Sequence, residues 1–154
     1  MPCSVMPAQF VLTALYGNVE DRGVGALKVL TSGAKHGWVA MLRKGATMTM
    51  EAWAEDEKPN LTWSHPWASS PTFLIAWYLF GIRPLTPGFA SVAIRPQVGD
   101  LKSGKFTMPT IKGPITVSFS NTEAAFDLQV VLPVSSTGKV SLPLPARTLA
   151  ALAA

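Results

Sequence analysis

The chain has 154 residues, 48% of them hydrophobic and only 14% charged, with a formal net charge of +4. That is too apolar for a disordered chain, and a free-standing domain usually carries roughly a quarter charged residues, so the balance points to a piece whose apolar surface is covered by something larger. The bases are scattered, with no run of Lys and Arg interleaved with aromatics, which argues against nucleic-acid binding, and the single Cys3 excludes an internal disulfide.

In chain order, Pro7 opens a first helix whose apolar stripe is Phe10, Val11, Ala14 and Leu15 and which Gly17 stops. MPCSVMPAQF lacks the basic start and long apolar core of a secretory signal, so no compartment can be read from it. A second helix runs from about Glu20, with Val24, Leu27 and Leu30 as its stripe, acids at its start and Gly33 at its end. The two helices make an antiparallel hairpin. A third runs from about Pro71 to Phe80, capped by Ser69 or Ser70 and stopped by Gly81. It is apolar on nearly all sides, which predicts burial all round. Phe73 to Ile82 is too short to span a bilayer.

After Pro84 the composition changes to short runs punctuated by Pro and Gly. Ile115, Val117 and Phe119 alternate with Thr116 and Ser118, and Phe126, Leu128 and Val130 alternate with Asp127, Gln129 and Val131. That is the period of half-buried strands, and the regular turns predict antiparallel strands from about Ser91 to Leu142, packed as a small sandwich. The last residues, PARTLAALAA, read as a flexible tail.

The chemistry concentrates between His36 and Pro71, a stretch that includes a long irregular loop expected over Ala46 to Ser70 and holds Trp38, Trp53, Trp63 and Trp67, both histidines and the acids Glu51, Glu55, Asp56 and Glu57. Aromatic faces beside carboxylates suit a carbohydrate site: the rings meet sugar C–H groups, and the carboxylates bind hydroxyls or move protons. The alternative, core tryptophans and a solvated acidic turn, stays open at this point. Glu51 stands apart in TMTMEAW, between Met50 and Trp53, where partial desolvation would shift its pKa. Glu55, Asp56 and Glu57, in EDEKPN, read as hydrated acids on a polar turn. His65 precedes Pro66 in WSHPW, which holds its backbone out of helix and leaves its ring to donate to a hydroxyl. No glycine-rich phosphate loop, zinc-ligand spacing or G-x-S-x-G elbow occurs, so no metal or cofactor is expected.

GATMTMEAW, NLTWSHPWASSP and YLFGIRPLTPGFASVAIRPQVGDL, in that order, resemble the C-terminal part of bacterial-type α-L-rhamnosidases, glycoside hydrolase family 78. The resemblance runs from about Pro7 to Val117 and is strongest from Gly45 to Leu101. It implies an α+β chain. Residues 1–82 would be the last helical hairpins of an (α/α)6 barrel, residues 83–145 a small antiparallel β-sandwich, and residues 146–154 a tail. It implies inverting release of terminal α-L-rhamnose from glycosides, with Glu51 as general base in a motif of the form Thr-x-Trp-Glu-x-Trp. Met50 replaces the first tryptophan of that motif, Trp53 matches the last, and His65, Trp53, Trp63 and Trp67 would line the sugar subsite. The general acid would come from an earlier part of the barrel, so the partners implied are a rhamnosyl glycoside and the N-terminal part of the barrel. Met1 is then expected to be an internal methionine of a longer ancestral chain, or the start of a truncated gene or partial chain, inactive alone. The alternative expectation is a non-catalytic carbohydrate-binding or degenerate remnant.

Overall fold

The computed structural model describes residues 3–143, which places the expected tail outside the described residues. The chain divides into two compact units, Met1–Ile75 and Ala76–Ala154.

The first unit is helical. Helix α1, Ala8–Gly17, follows Pro7 and buries Ala8, Leu12 and Tyr16, a stripe at spacing four. This corrects the expected face: Phe10 is 63% exposed and Val11 is also exposed. AQFVLTALYG is apolar on several sides, so helical spacing alone cannot choose between two stripes of the same period. Helix α2, Val24–Leu30, buries Ala26 and Leu27 and packs on α1. Its start is held by Asp21, whose Oδ2 accepts the Gly25 N–H at 2.6 Å, as acids expected at this N-terminus should do. A further short helix, α3, Trp38–Arg43, which the sequence reading did not single out, forms ahead of the loop expected over Ala46 to Ser70, with Trp38 and Met41 buried. Helix α4, Ser70–Leu74, packs on α1 and leads into a π-helical turn, Ile75–Leu79. Ser69 precedes it without a side-chain cap, its hydroxyl donating instead to the Pro66 carbonyl. The expectation that this helical run is buried on all sides is also corrected, because Phe73 and Trp77 are exposed: these units supply too few elements to surround it.

The second unit holds two three-stranded sheets. In the first, β1 (Ile82–Pro84) pairs antiparallel with β2 (Ser91–Ile94), and β2 pairs parallel with β6 (Thr137–Val140). The second is a meander of β3 (Ser103–Met108), β4 (Ile115–Asn121) and β5 (Phe126–Val131), antiparallel throughout. The all-antiparallel expectation therefore fails at one pairing. Strand β6 returns to β2 only after the whole meander, and a long crossover permits parallel entry that no hairpin could give. The predicted alternation holds on β4, where Ile115, Val117 and Phe119 are buried between outward Thr116, Ser118 and Ser120. Phe80 stacks on Phe106 at 5.1 Å, and Phe119 on Phe126 at 5.8 Å. Gly81 has φ 70°, and a Cβ there would lie 2.1 Å from the Arg95 backbone, so the turn admits only glycine.

Candidate active site

The segment after α3 is irregular but not loose. The Glu51 N–H donates to the Thr62 carbonyl at 3.0 Å and the His65 N–H to the Thr49 carbonyl at 2.9 Å. The Thr49 hydroxyl returns a bond to the His65 carbonyl at 2.8 Å. These bonds tie Thr49–Glu51 to Thr62–His65 and hold two of the expected site residues on adjoining backbone.

Side chains along the loop part according to polarity. Met50 is fully buried and Trp53 is 2% exposed. The Trp53 indole donates to the Cys3 carbonyl at 2.6 Å, meets Trp38 edge-on at 5.1 Å and stacks with His36 at 6.5 Å. Trp38 in turn donates to the Ala68 carbonyl at 3.0 Å. Trp53 therefore has no open ring face and serves as a core post beneath the loop. Glu51, between these two in sequence, has a side chain 21% exposed and turned to polar partners. The Lys58 ammonium bonds its Oε1, and the Thr62 N–H reaches Oε2 at 3.4 Å. The Glu51 carboxyl is held below its ordinary value, first by Lys58, then by the Thr62 N–H and the nearby His65 charge, against the opposing pull of desolvation. The apolar neighbours seen in the sequence thus surround the backbone while an ion pair sets the titration.

The acids of EDEKPN are not simply hydrated, as their sequence predicts. They lie on a 3-10 turn, Glu55–Glu57, and each reaches a different base. Glu55 pairs with Lys44 at 3.2 Å, Asp56 with Lys35 at 2.8 Å and Glu57 with His36 at 2.6 Å. Those partners, and Lys58, were missed because contacts across 7 to 21 positions in an irregular segment leave no periodic signal. His65 is half-buried, its ring 6.1 Å from that of Trp67. Trp63 and Trp67 are 41% and 71% exposed, with surface free for a ligand. The arrangement is an ionised carboxylate, a histidine and two open indoles on one braced loop. Among the described residues no group of His, Cys, Asp and Glu is placed to hold a metal ion, and no helix is long and apolar enough to cross a membrane.

The described residues are α+β, a helical unit with a braced loop followed by a two-sheet unit. Residues 81–152 match the family model described as the bacterial alpha-L-rhamnosidase C-terminal domain. An alpha-L-rhamnosidase of Alteromonas sp. (strain LOR) is 29% identical over 114 residues, which is 69% of this chain and 12% of that protein. The solved alpha-L-rhamnosidase of Dictyoglumus thermophilum superposes with a TM-score of 0.76 at 25% identity, over 88% of this chain and 15% of that one. The Streptomyces avermitilis alpha-L-rhamnosidase complexed with L-rhamnose gives 0.67 at 24% identity, over 75% and 12%. The family 78 rhamnosidase of Bacillus sp. GL1 gives 0.63 at 23% identity, over 90% and 16%. The last two speak to fold alone. Residues 81–152 thus resemble the C-terminal domain of bacterial alpha-L-rhamnosidases, and the chain spans 12% to 16% of the length of the relatives it is similar to.

Proposed function

We propose that this chain is the C-terminal part of a glycoside hydrolase that releases terminal α-L-rhamnose with inversion, and that Glu51 is its general base. The observation that carries the reading is a carboxylate bonded by Lys58 on a backbone-braced loop that also carries His65 and the exposed Trp63 and Trp67 rings. In the reaction Glu51 takes a proton from water as the water oxygen bonds the anomeric carbon. The glycosidic C–O bond breaks on the opposite face, and an acid from the preceding part of the barrel protonates the departing oxygen. The two carboxyl groups of such a pair stand roughly 6.5–9.5 Å apart to admit the water. Residues 1–82 act as the closing hairpins of that barrel and residues 83–145 as its C-terminal sandwich. Trp63 and Trp67 offer apolar faces to the sugar, His65 a hydrogen bond, and Trp53 supports the loop from below.

The test has two parts. The 154-residue chain alone should not hydrolyse p-nitrophenyl α-L-rhamnoside, since it lacks a positioned acid; turnover abolished by Glu51→Gln would show that one is present. With the segment grafted into an intact homologous enzyme, Glu51→Gln should lower kcat by about 10²–10⁴-fold with little change in KM. Near-normal kcat would sink the base assignment. A second reading, a carbohydrate-binding remnant, draws on the exposure of Trp63 and Trp67. It expects L-rhamnose to perturb their indole resonances in a chain without turnover, even after Glu51→Gln.

A further inference from the structure

We propose that Lys58 is the positioning residue of Glu51, delivered to it by the ion-paired turn that precedes it. The proposal rests on Glu51 being the base. Two observations carry it. The Lys58 ammonium is bonded to Oε1, while Oε2 meets only the long Thr62 N–H contact at 3.4 Å, so one oxygen is anchored and the other is left to accept from water. And Lys58 directly follows three acids that would ordinarily compete for it. Glu55, Asp56 and Glu57 are each taken up by another base, Lys44, Lys35 and His36 respectively. With those acids occupied, the lysine reaches back seven positions to Glu51. Orienting the carboxylate by an ammonium suits a base that must hold one lone pair toward a water molecule. The titratable groups facing Glu51 are Lys58 and His65, with the Thr62 N–H completing the set. Of these Lys58 acts most strongly, and it favours the ionised form.

The test follows the Glu51 carboxyl carbon by NMR in the 154-residue chain labelled at glutamate Cδ, with Glu51→Gln used for assignment. In the unsubstituted chain Glu51 should titrate below the ordinary glutamate range. Lys58→Gln should return it to that range, Lys58→Arg should keep it low, and Lys44→Gln, which frees Glu55 to compete for Lys58, should raise it part of the way. A Glu51 titration that Lys58→Gln does not move would overturn the proposal. Should Lys58→Gln fail to fold, the unsubstituted chain still decides: added NaCl should raise the Glu51 midpoint by screening the pair, and a midpoint in the ordinary range, indifferent to salt, would refute it. In the grafted enzyme Lys58→Gln should move the acid limb of the kcat/KM profile upward. Loss of the base role for Glu51 would appear there as unchanged kcat in Glu51→Gln, while the titration in the chain alone would stand, so the two failures are distinguishable.

Discussion

At Glu51 two demands compete: a base must be ionised at working pH, and it must not be so stabilised that it ceases to accept a proton. Lys58 meets the first and leaves Oε2 for the second. The loop's other pairs are solvent-exposed, so each is individually weak and salt-sensitive. For the Lys35–Asp56 pair the pH window follows from the direction of the two titrations. The Asp56 carboxyl is held below its ordinary value of 3.8, mainly by its bond to Lys35, so its contribution is complete above that value and is lost as pH falls through the depressed one. The Lys35 ammonium is raised above 10.5, first by the same bond, so its share is lost only as pH rises beyond that. The Lys35–Asp56 pair should therefore be intact from weakly acidic to strongly alkaline pH. Indole resonances of Trp53 and Trp38 should stay constant over that range and shift below pH 3.8 as the pair to Lys35 is protonated away. Constancy through the acid range would show that the pairs do not brace the loop.

Among the elements, α1 offers the sharpest contrast. Leu12 is fully buried and Phe10 is exposed. Leu12→Ala should cost about 2–5 kcal/mol in urea unfolding through lost transfer energy and a residual cavity, whereas Phe10→Ser should stay within about 0.5 kcal/mol. Equal costs would mean that α1 presents the stripe its sequence first proposes. In the sheet unit, Gly81 combines a left-handed φ with contact against the Arg95 backbone, whose N–H donates to the Gly81 carbonyl at 3.0 Å. Gly81→Ala adds a Cβ where backbone already stands and should destabilise by more than the about 1–3 kcal/mol of conformational strain alone. A melting temperature unchanged by Gly81→Ala would contradict this turn. The π-helical turn ahead of it is also tied down: the Arg83 guanidinium donates to the Trp77 carbonyl at 2.9 Å, and the Gln97 N–H to the Tyr78 and Leu79 carbonyls. These bonds satisfy end carbonyls that the helix itself leaves open.

For the whole molecule, the apolar groups left at the surface are the main physical statement. Phe10, Val11, Leu42, Met48 and Phe73 are exposed in the helical unit, and apolar surface marks an interaction site where it is contiguous. Relatives several times longer supply further chain that can cover such a surface. The 154-residue chain should accordingly bind a hydrophobic dye and associate with rising concentration in sedimentation. Phe10→Glu combined with Leu42→Glu should reduce both, without the loss of helix that Leu12→Ala brings. A chain that is monomeric and dye-silent at high concentration would remove this support for a larger host.

The sequence by itself determined the order of the chain: helices first, an aromatic and acidic loop next, strands last. Those features are local, since helical spacing, the period-two pattern of β4 and β5 and the Gly81 stop need only neighbouring residues. It also marked Glu51 out, because one acid between Met50 and Trp53 differs visibly from three acids in a row. Tertiary structure decided everything that depends on distant partners. It chose which of two equal stripes on α1 faces inward, brought β6 to β2 in parallel, added α3 ahead of the loop and buried Trp53 beneath it. It also gave Glu51 an ion pair where the sequence shows only apolar neighbours. A loop has no repeating geometry that would link Glu51 to Lys58, so that pairing exists only once Thr49–Glu51 and Thr62–His65 are laced together.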